Sequence, residues 1–260
     1  MQQVNFYTDE ENDDFFEGKT FEGTIDEKFK YLPTNPFKKA WDFFLYYFVA
    51  LPILCFVMFV IQGVRVKNRK AIKKLKNTGY VIVGNHTNAI DTYLGPIGIA
   101  RPKRTYIISQ SNTLKIPYLK HLVKSLGALP IAETMGALKN FDKATSQILR
   151  QKKAIVIFPE AHIWPYYTGT RPMRLGSFKL ASKNQVPVVP IATTYQKRKF
   201  FKKPRMVVYI GEPIMFDKSL STNENAQIYK QKTEEFIKEK TSQNNFVYRR
   251  YIKVENKDWK

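Results

Sequence analysis

A run of nineteen uncharged residues, 43–61, limits more than any other feature how this chain can fold. As a helix that rises about 1.5 Å per residue, the run would reach roughly 28 Å, close to a hydrocarbon core of about 30 Å. Basic residues lie on both sides of it: Lys28, Lys30, Lys38 and Lys39 before, and Arg65, Lys67, Arg69, Lys70, Lys73, Lys74 and Lys76 after. These flanks favour membrane contact, and Pro52 suits a bent segment that dips into one leaflet as an alternative to a spanning one. A buried core helix is the remaining alternative.

The position of this apolar run bears on orientation and compartment. It begins too late for a secretory signal, and no small-residue cleavage site precedes the basic stretch that follows it. If the run spans a membrane, the heavier positive flank places everything after it in the cytoplasm. The sole cysteine, Cys55, lies inside the run, so an intramolecular disulfide is impossible and a reducing compartment fits. We expect a membrane-associated protein whose main domain, after this run, lies on the cytoplasmic face.

Charge is distributed unevenly along the chain, which has a net charge of +21. Residues 1–27 contain nine acids and one lysine, whereas the remainder contains 42 basic and 13 acidic residues, a surplus of +29. Such a surplus indicates an anionic partner (a membrane surface, a nucleic acid or an acidic cofactor), with a merely soluble surface as the alternative. The acidic leader, residues 1–27, has little hydrophobic periodicity, so we expect it to be disordered. A second hypothesis is that the leader folds back and competes with anionic donors or lipids.

Beyond residue 76, short β-branched runs alternate with helical patterns. The predicted strands are residues 80–84, 106–108, 128–131, 154–158, 186–191 and 206–210. The predicted helices are residues 116–126, 137–151, 176–183 and 223–240. This alternation predicts an α/β fold, a single domain of residues 77–245 with a central, mostly buried β-sheet flanked by helices. The membrane-associated segment with its basic flanks, residues 28–76, precedes that domain, and a basic-aromatic tail, residues 246–260, follows it without an assignment.

Several common catalytic motifs are absent from the sequence. It contains no G-x-S-x-G elbow, no G-x-x-x-x-G-K-[ST] phosphate loop, no G-x-G-x-x-G fingerprint and no H-E-x-x-H zinc motif. With one cysteine and three histidines, we expect no clustered transition-metal site. No nucleic-acid-binding signature is present, so we expect no nucleic-acid partner. Serine-nucleophile chemistry and nucleotide hydrolysis therefore lose support.

The predicted strand at 80–84 is followed directly by Asn85 and His86, and Asp91 lies five positions beyond the histidine. On one ideal helix, side chains five apart point roughly 140° away from each other, so these two can meet only if the chain turns between them. We therefore expect His86 in a loop at the rim of the sheet and Asp91 near a helix start. A general base and its orienting carboxylate are often presented in this way. A capped turn with an exposed His86 is the alternative.

Further blocks follow the histidine block in order along the chain. Residues 85–91 match N-H-x-x-x-x-D, Phe158-Pro159-Glu160 match the start of F-P-E-G-T-R, and Val186-Pro187-Val188-Val189-Pro190 match V-P-[IV]-V-P. In these blocks the chain resembles the glycerolipid acyltransferases with the H-x-x-x-x-D motif, the family of lysophosphatidic acid acyltransferases. Order and spacing agree, and a membrane-associated N-terminal segment is usual in that family. The resemblance covers about residues 40–215.

The chain departs from the pattern of this family where the family usually has arginine. The second block, usually G-x-I-F-I-D-R, ends here in Glu133, and Ala161-His162-Ile163 replace the G-T-R of the third block. Gly169-Thr170-Arg171 occur downstream, either as a displaced counterpart or by coincidence. In the family these arginines help to hold the phosphate of the acceptor, a task that suits bidentate guanidinium donors. The candidate phosphate contacts here are Arg171, Arg174 and Lys139, with a solvated surface charge as the alternative for each.

The resemblance implies an enzyme that moves a fatty acyl group from a thioester donor, acyl-CoA or acyl-carrier protein, to a lysophospholipid hydroxyl. The first expected acceptor is 1-acyl-glycerol-3-phosphate, which would give phosphatidic acid; another lysolipid or glycerol 3-phosphate is the alternative. By the same resemblance His86 is the general base, Asp91 orients its imidazole, and Glu160 contacts the glycerol backbone. The family needs no metal or redox cofactor, so none is expected.

Two hypotheses of other classes stay open at the level of the sequence. The protein could be a non-catalytic binding protein whose basic residues 65–76 attach it to anionic membrane lipids, since each Lys or Arg near such a surface contributes about 1 kcal/mol. It could also be a thioesterase that uses water as the acyl acceptor. The expected partners of an acyltransferase are anionic membrane lipids, the lysophospholipid acceptor and the anionic acyl donor.

Overall fold

Seven strands form the central sheet, and the strands predicted above account for six of them. The structure is a computed structural model that describes residues 3–15, 25–110 and 120–255. The strands of the central sheet are β2 Arg65–Lys67, β3 Tyr80–Gly84, β4 Thr105–Ser109, β5 Ala128–Pro130, β6 Ala154–Ile157, β7 Val188–Gln196 and β8 Arg205–Ile210. Two further strands, β1 Gln3–Tyr7 and β9 Arg249–Lys253, lie outside it. The order in the sheet is β2-β8-β7-β3-β6-β4-β5, in which β3 to β7 are parallel and β8 is antiparallel to β7. The predicted α/β fold with a central, mostly buried sheet flanked by helices is confirmed, and the sheet is mostly parallel.

Helices cover both faces of this sheet. They are α1 Pro36–Phe44, α2 Leu51–Cys55, α3 Asp91–Tyr93, α4 Lys120–Ser125, α5 Met135–Arg150, α6 Gly176–Lys183 and α7 Thr222–Thr241, with a 3₁₀ helix at Arg69–Leu75. Successive residues of β3 point to opposite faces. Val81 and Val83 therefore pack in the same cluster as residues of α5, α6 and α7, whereas Ile82 packs in the cluster that contains Leu51 of α2. Strand β3 is buried throughout, as its continuous apolar sequence predicts.

The apolar run forms one continuous helix, Pro36–Ile61, called here the N-terminal helix. In it α1 and α2 are joined and followed by wider π-type turns at Leu45–Ala50 and Phe56–Ile61. One stripe of this helix is buried on the sheet: Tyr46, Leu51 and Met58. Only 17% of its most apolar stretch is buried, so it is not a core helix. Among the described residues it is the one helix long and apolar enough to cross a membrane, judged by length and composition.

The described part of the acidic leader is folded, which differs from the disorder predicted for it. Strand β1 pairs in parallel with β9, so the leader and the tail, which had no assignment, form a small second sheet. The rings of Tyr7 and Phe15 meet the ring of Trp164 edge-on, with centroids 4.7 and 5.2 Å away. Aromatic contacts of this kind offset the acidic composition, and a segment this short shows no periodicity that would reveal them. The domain boundaries stay a prediction.

The ends of the helices follow local capping. Helix α6 has the predicted bounds, whereas α5 starts two residues before the prediction because Thr134 Oγ1 accepts the Ala137 N–H at 3.2 Å. Helix α7 starts behind a capping box of Ser221 and Glu224. The predicted helix at 116–126 lies partly outside the described residues, and α4 is its described part. Strand β5 lies at one edge of the sheet.

Candidate active site

The loop after β3 places His86 at the carboxyl end of the sheet. Asn85 fixes the start of this loop, because its amide pairs with the backbone of Thr193 in β7. The Nδ2 atom donates to Thr193 O at 3.0 Å, and Oδ1 accepts the Thr193 N–H at 2.8 Å. Gly84 permits this approach of β7, since a Cβ there would collide with the side chain of Ile191. His86 is 8% exposed, which excludes the exposed histidine of the capped-turn alternative.

Asp91 is the first residue of α3, and its side chain is completely buried. Its Oδ2 atom accepts the backbone N–H groups of Thr87 and Asn88, each at 2.7 Å, and lies 3.4 Å from His86 Nδ1. The carboxylate thus closes the turn and faces the imidazole at the same time. A carboxylate at Nδ1 favours the tautomer with hydrogen on that nitrogen, which leaves Nε2 able to take up a proton.

Aromatic residues of three segments hold this loop. The ring of Phe158 stacks on the His86 imidazole, with centroids 4.4 Å apart and planes 16° from parallel. The backbone N–H of Trp164 donates to His86 O at 3.2 Å, and the Tyr195 hydroxyl donates to Thr87 O at 3.0 Å. Burial, and then the nearby Asp91 carboxylate, raise the pKa of Tyr195 well above its ordinary value, so the hydroxyl stays protonated. Sequence reasoning missed Tyr195, because nothing in the pattern of that apolar strand signals its contact with the loop.

Glu160 follows β6, the strand beside β3, and links the ends of the two strands. Its Oε2 atom accepts the His86 backbone N–H at 3.0 Å and a hydrogen from Arg171 Nη2 at 2.5 Å. Both side chains are almost completely buried, at 1% and 0% exposure. Burial raises the pKa of the Glu160 carboxyl, and the Arg171 guanidinium acts in the opposite direction. A buried ion pair therefore positions the backbone of the histidine.

Arg171 is the one of the three candidate phosphate contacts that is buried beside this loop. It also donates to His162 O, and its guanidinium carbon lies 4.8 Å from the centre of the Trp164 ring. Gly169-Thr170-Arg171 lie downstream of the third block in the sequence, and the fold brings the Arg171 side chain beside Glu160 of that block. Arg171 is buried, so the alternative of a solvated surface charge is wrong for this residue. Its Nε and Nη1 atoms are buried and have no hydrogen-bond partner among the described residues.

The turn after Glu160 contains a non-glycine residue in a left-handed backbone conformation. Ala161 has a φ of +66°, in the left-handed region that favours glycine. The third block, F-P-E-G-T-R, has glycine at this position. The chain therefore forms the turn with a residue that is strained there.

Arg174 and Lys139 lie on the surface. The backbone N–H of Arg174 donates to Pro159 O at 3.2 Å, which ties this residue to the third block. Its exposed guanidinium is 3.4 Å from Glu11 O and from Asn12 Oδ1. Lys139 is exposed on α5. Glu133, at the position of the second-block arginine, accepts the Ile25 N–H at 3.3 Å and so also contacts the leader.

The leader folds back over the third block. Asp14 Oδ2 lies 3.2 Å from His162 Nδ1, and the Trp164 indole N–H donates to Asp13 O at 2.7 Å. The acidic segment is therefore placed beside the basic residues of that block, in the position that the fold-back hypothesis requires. Competition between the leader and anionic ligands stays a prediction.

A parallel sheet with a buried histidine–carboxylate pair at the carboxyl ends of its strands is the architecture of an enzyme that uses a general base. The chain belongs to the acyltransferase family, because the family model described as Acyltransferase matches residues 63–194, half of the chain. The matched segment includes the histidine block, the third block and the last block.

The chain is also similar to two known acyltransferases. The 1-acyl-sn-glycerol-3-phosphate acyltransferase of Saccharomyces cerevisiae is 24% identical over 159 residues, which cover 55% of this chain and 49% of that protein. The chain thus spans about half the length of this curated relative. The crystal structure of the 1-acyl-sn-glycerophosphate (LPA) acyltransferase PlsC from Thermotoga maritima matches with a TM-score of 0.52 and 16% identity, over 77% of this chain and 88% of that chain. This match supports the fold.

Removal of one member of the buried pair is expected to destabilise the protein. Arg171→Met leaves the Glu160 carboxylate buried without its counter-charge, so we expect the free energy of unfolding to fall by about 3–5 kcal/mol. The double variant Glu160→Gln/Arg171→Met removes both charges, and the amide oxygen can still accept the His86 N–H. Denaturant unfolding should show most of the loss recovered in the double variant.

The exposed pair of Lys183 and Asp142 provides a matched control, with side chains 61% and 43% exposed. Lys183→Met is expected to change the free energy of unfolding by less than about 1 kcal/mol. Equal losses in the single Arg171 variant and in the double variant would contradict an energetically coupled pair.

Glycine at position 161 is expected to stabilise the fold. Ala161→Gly relieves a left-handed conformation that costs a non-glycine residue about 1–2 kcal/mol, a gain reduced by the greater freedom of glycine in the unfolded chain. We expect thermal unfolding to shift upward. Ala132→Gly, at a φ outside the left-handed region, should shift it downward. A downward shift in both variants would refute the strain at Ala161.

Proposed function

We propose that this protein is a lysophospholipid O-acyltransferase that makes phosphatidic acid from 1-acyl-glycerol-3-phosphate. The observation that carries the proposal is the contact between buried Asp91 and His86 Nδ1, inside the segment matched by the acyltransferase family. The Saccharomyces cerevisiae relative is named for 1-acyl-sn-glycerol-3-phosphate, which supports that compound as the acceptor.

The reaction is a direct acyl transfer. His86 Nε2 takes the proton of the acceptor hydroxyl as its oxygen forms a bond with the thioester carbonyl carbon. The carbon–sulfur bond then breaks, and the imidazolium returns the proton to the leaving thiolate. Asp91 holds the imidazole in the required tautomer and stabilises the imidazolium, and base catalysis of this kind contributes about 10²–10⁴-fold.

The remaining site residues are proposed to position the acceptor. Glu160 is the candidate contact to the glycerol backbone, and its ion pair with Arg171 fixes the carboxylate beside the histidine loop. Since the Arg171 side chain is completely buried and pairs with Glu160, the acceptor phosphate is assigned first to Arg174, which is exposed and tied to Pro159, and then to Lys139. The donor is acyl-CoA or acyl-carrier protein, both of which are anions that suit the basic surface.

We further propose that the N-terminal helix lies within one leaflet and that the domain sits on the cytoplasmic face. Contacts to the domain occur along the helix, where Tyr46, Leu51 and Met58 pack in the same cluster as residues of the sheet. The Tyr46 hydroxyl accepts the Thr105 N–H at 3.2 Å, and Met58 O accepts the Val64 N–H at 3.0 Å where the chain turns back toward the sheet. The opposite side presents exposed apolar residues such as Phe48 and Phe56. A helix that is docked along its length can lie in a membrane interface without leaving the domain.

The proposed activity is tested with purified protein, radiolabelled acyl-CoA or acyl-carrier protein, and a panel of lysolipids and glycerol 3-phosphate. We expect labelled phosphatidic acid from 1-acyl-glycerol-3-phosphate. Labelled free fatty acid would instead identify a thioesterase, and no labelled product with either donor would support a binding protein. Labelled product from another acceptor alone would keep the reaction and change the substrate.

Turnover is expected to depend on the histidine–carboxylate pair. His86→Ala should lower kcat by about 10²–10⁴-fold, because the hydroxyl proton then has no acceptor in the site. Asp91→Asn should also lower kcat, since an amide neither favours the required tautomer nor stabilises the imidazolium. Binding of the acceptor, measured by equilibrium dialysis, should change little in His86→Ala. Turnover near the wild-type rate in that variant would remove His86 from the mechanism.

The acceptor phosphate provides a separate test. Arg174→Gln is expected to raise KM for 1-acyl-glycerol-3-phosphate about tenfold, because a charge-assisted hydrogen bond contributes about 1.5–3 kcal/mol. The kcat should be largely kept, and KM for a lysolipid without a terminal phosphate should not change. Lys139→Gln should have a smaller effect, and Lys218→Gln, at an exposed position not assigned to the site, is the matched control and should leave KM unchanged. An unchanged KM in Arg174→Gln would exclude this arginine as the phosphate contact.

A further inference from the structure

The loop between β7 and β8, residues 197–203, is both basic and aromatic. Its sequence is Lys-Arg-Lys-Phe-Phe-Lys-Lys, and the four lysines are exposed. Phe200 is 83% exposed and Phe201 is 63% exposed. The Lys199 Nζ atom lies 5.4 Å from the centre of the Phe200 ring, and the Arg198 guanidinium carbon lies 4.3 Å from that of Phe201. Two large apolar rings are thus held at the surface among five cations, in what we call the basic-aromatic loop.

This loop lies beside the end of the N-terminal helix. A Cβ built on Gly63, two residues after the helix, would be 2.5 Å from Arg198 Nη2. Strand β2 follows that glycine and pairs with β8, the strand that follows the loop. The last helix residues, Val60 and Ile61, are 65% and 62% exposed. The exposed apolar end of the helix and the basic-aromatic loop are therefore neighbours.

We propose that the basic-aromatic loop is a second membrane-binding site, which selects anionic bilayers. Phe200 and Phe201 enter the interfacial region next to Val60 and Ile61, and the lysines contact the headgroup phosphates. The loop then fixes the rotation of the domain about the N-terminal helix, because two contacts on different elements define an orientation that one helix leaves free.

The chemistry of the surface favours a bilayer over other anionic partners. Aromatic rings flanked by lysine or arginine match the boundary where headgroup phosphates lie next to hydrocarbon. A nucleic acid would match the cations but not the adjoining apolar end of the helix. Exposed contiguous apolar residues on a soluble surface are uncommon without a partner. The inference rests on the membrane association proposed for the N-terminal helix and does not depend on the acyl-transfer reaction.

Vesicle flotation of the full chain tests the proposal. The probes are vesicles of phosphatidylcholine alone and of phosphatidylcholine with phosphatidylglycerol. The loop variants are Phe200→Ser/Phe201→Ser and Lys199→Gln/Lys202→Gln/Lys203→Gln. We expect the lysine variant to bind the anionic vesicles about 100-fold more weakly than the wild type, since each lysine near such a surface contributes about fivefold. The phenylalanine variant should bind them about tenfold or more weakly, because two apolar rings no longer enter the interface.

A matched control removes three exposed lysines elsewhere: Lys218→Gln/Lys232→Gln/Lys238→Gln. This triple variant has the same net charge as the lysine variant of the loop, so equal losses in the two would show a general charge effect and overturn the proposal. Phe48→Ser/Phe56→Ser reports on the N-terminal helix and should weaken binding to both kinds of vesicle. The thermal unfolding of every variant should match that of the wild type, because all substituted residues are exposed.

A fluorescent label provides a second readout that does not depend on affinity. In a Cys55→Ser background, an environment-sensitive dye on Phe200→Cys should shift its emission to the blue with anionic vesicles, and a dye on Lys218→Cys should not. No shift at position 200 while the helix variant still loses vesicle binding would overturn the loop site alone. No vesicle binding by the wild type would overturn both membrane proposals. Loop-dependent binding of a DNA oligonucleotide, with vesicle binding unchanged in the loop variants, would also refute the bilayer as the partner.

Discussion

The Glu160 carboxylate is the interaction on which the geometry of the site depends. Glu160 follows β6 in the chain, and His86 follows β3. The carboxylate accepts the backbone N–H of His86, so it joins the ends of two neighbouring parallel strands. A buried carboxylate is costly unless its charge is paired and its oxygens accept hydrogen bonds. Arg171 supplies the counter-charge here. The backbone of the histidine is thereby fixed by one buried acid, while its imidazole faces a second, Asp91.

The N-terminal helix makes the exposed apolar surface of the protein a component of the sheet domain. Its buried stripe packs in the same cluster as Ile82, two residues before the end of β3, and as Val156 in the neighbouring strand. The helix and the strands that carry the site therefore share one core. One side of residues 43–61 contacts the sheet, and the other side presents exposed apolar residues.

Much of the fold and part of the site followed from local patterns. The central strands are continuous apolar runs, and the turn that brings His86 to Asp91 follows from a five-residue spacing that a straight helix cannot bridge. The disorder predicted for the leader differs from the structure of residues 3–15. Acidic composition argues for disorder, whereas a few aromatic residues pack on Trp164. The contact of Tyr195 with the histidine loop was missed, because the partners are 108 residues apart in the chain.

Local patterns suffice to predict the α/β sheet, the apolar N-terminal helix and the pairing of a histidine with a carboxylate, because each depends on the period or spacing of nearby residues. The cation that pairs with Glu160 of the third block is known only from the folded chain. Arg171 lies eleven residues after Glu160, beyond the reach of any local pattern, and the fold of the intervening turn brings the two together. Tertiary structure likewise placed the basic-aromatic loop next to the end of the helix, since β2 and β8 are adjacent only in the sheet. Spacing along the chain fixes local geometry, whereas contacts between distant segments exist only after the sheet has brought them together.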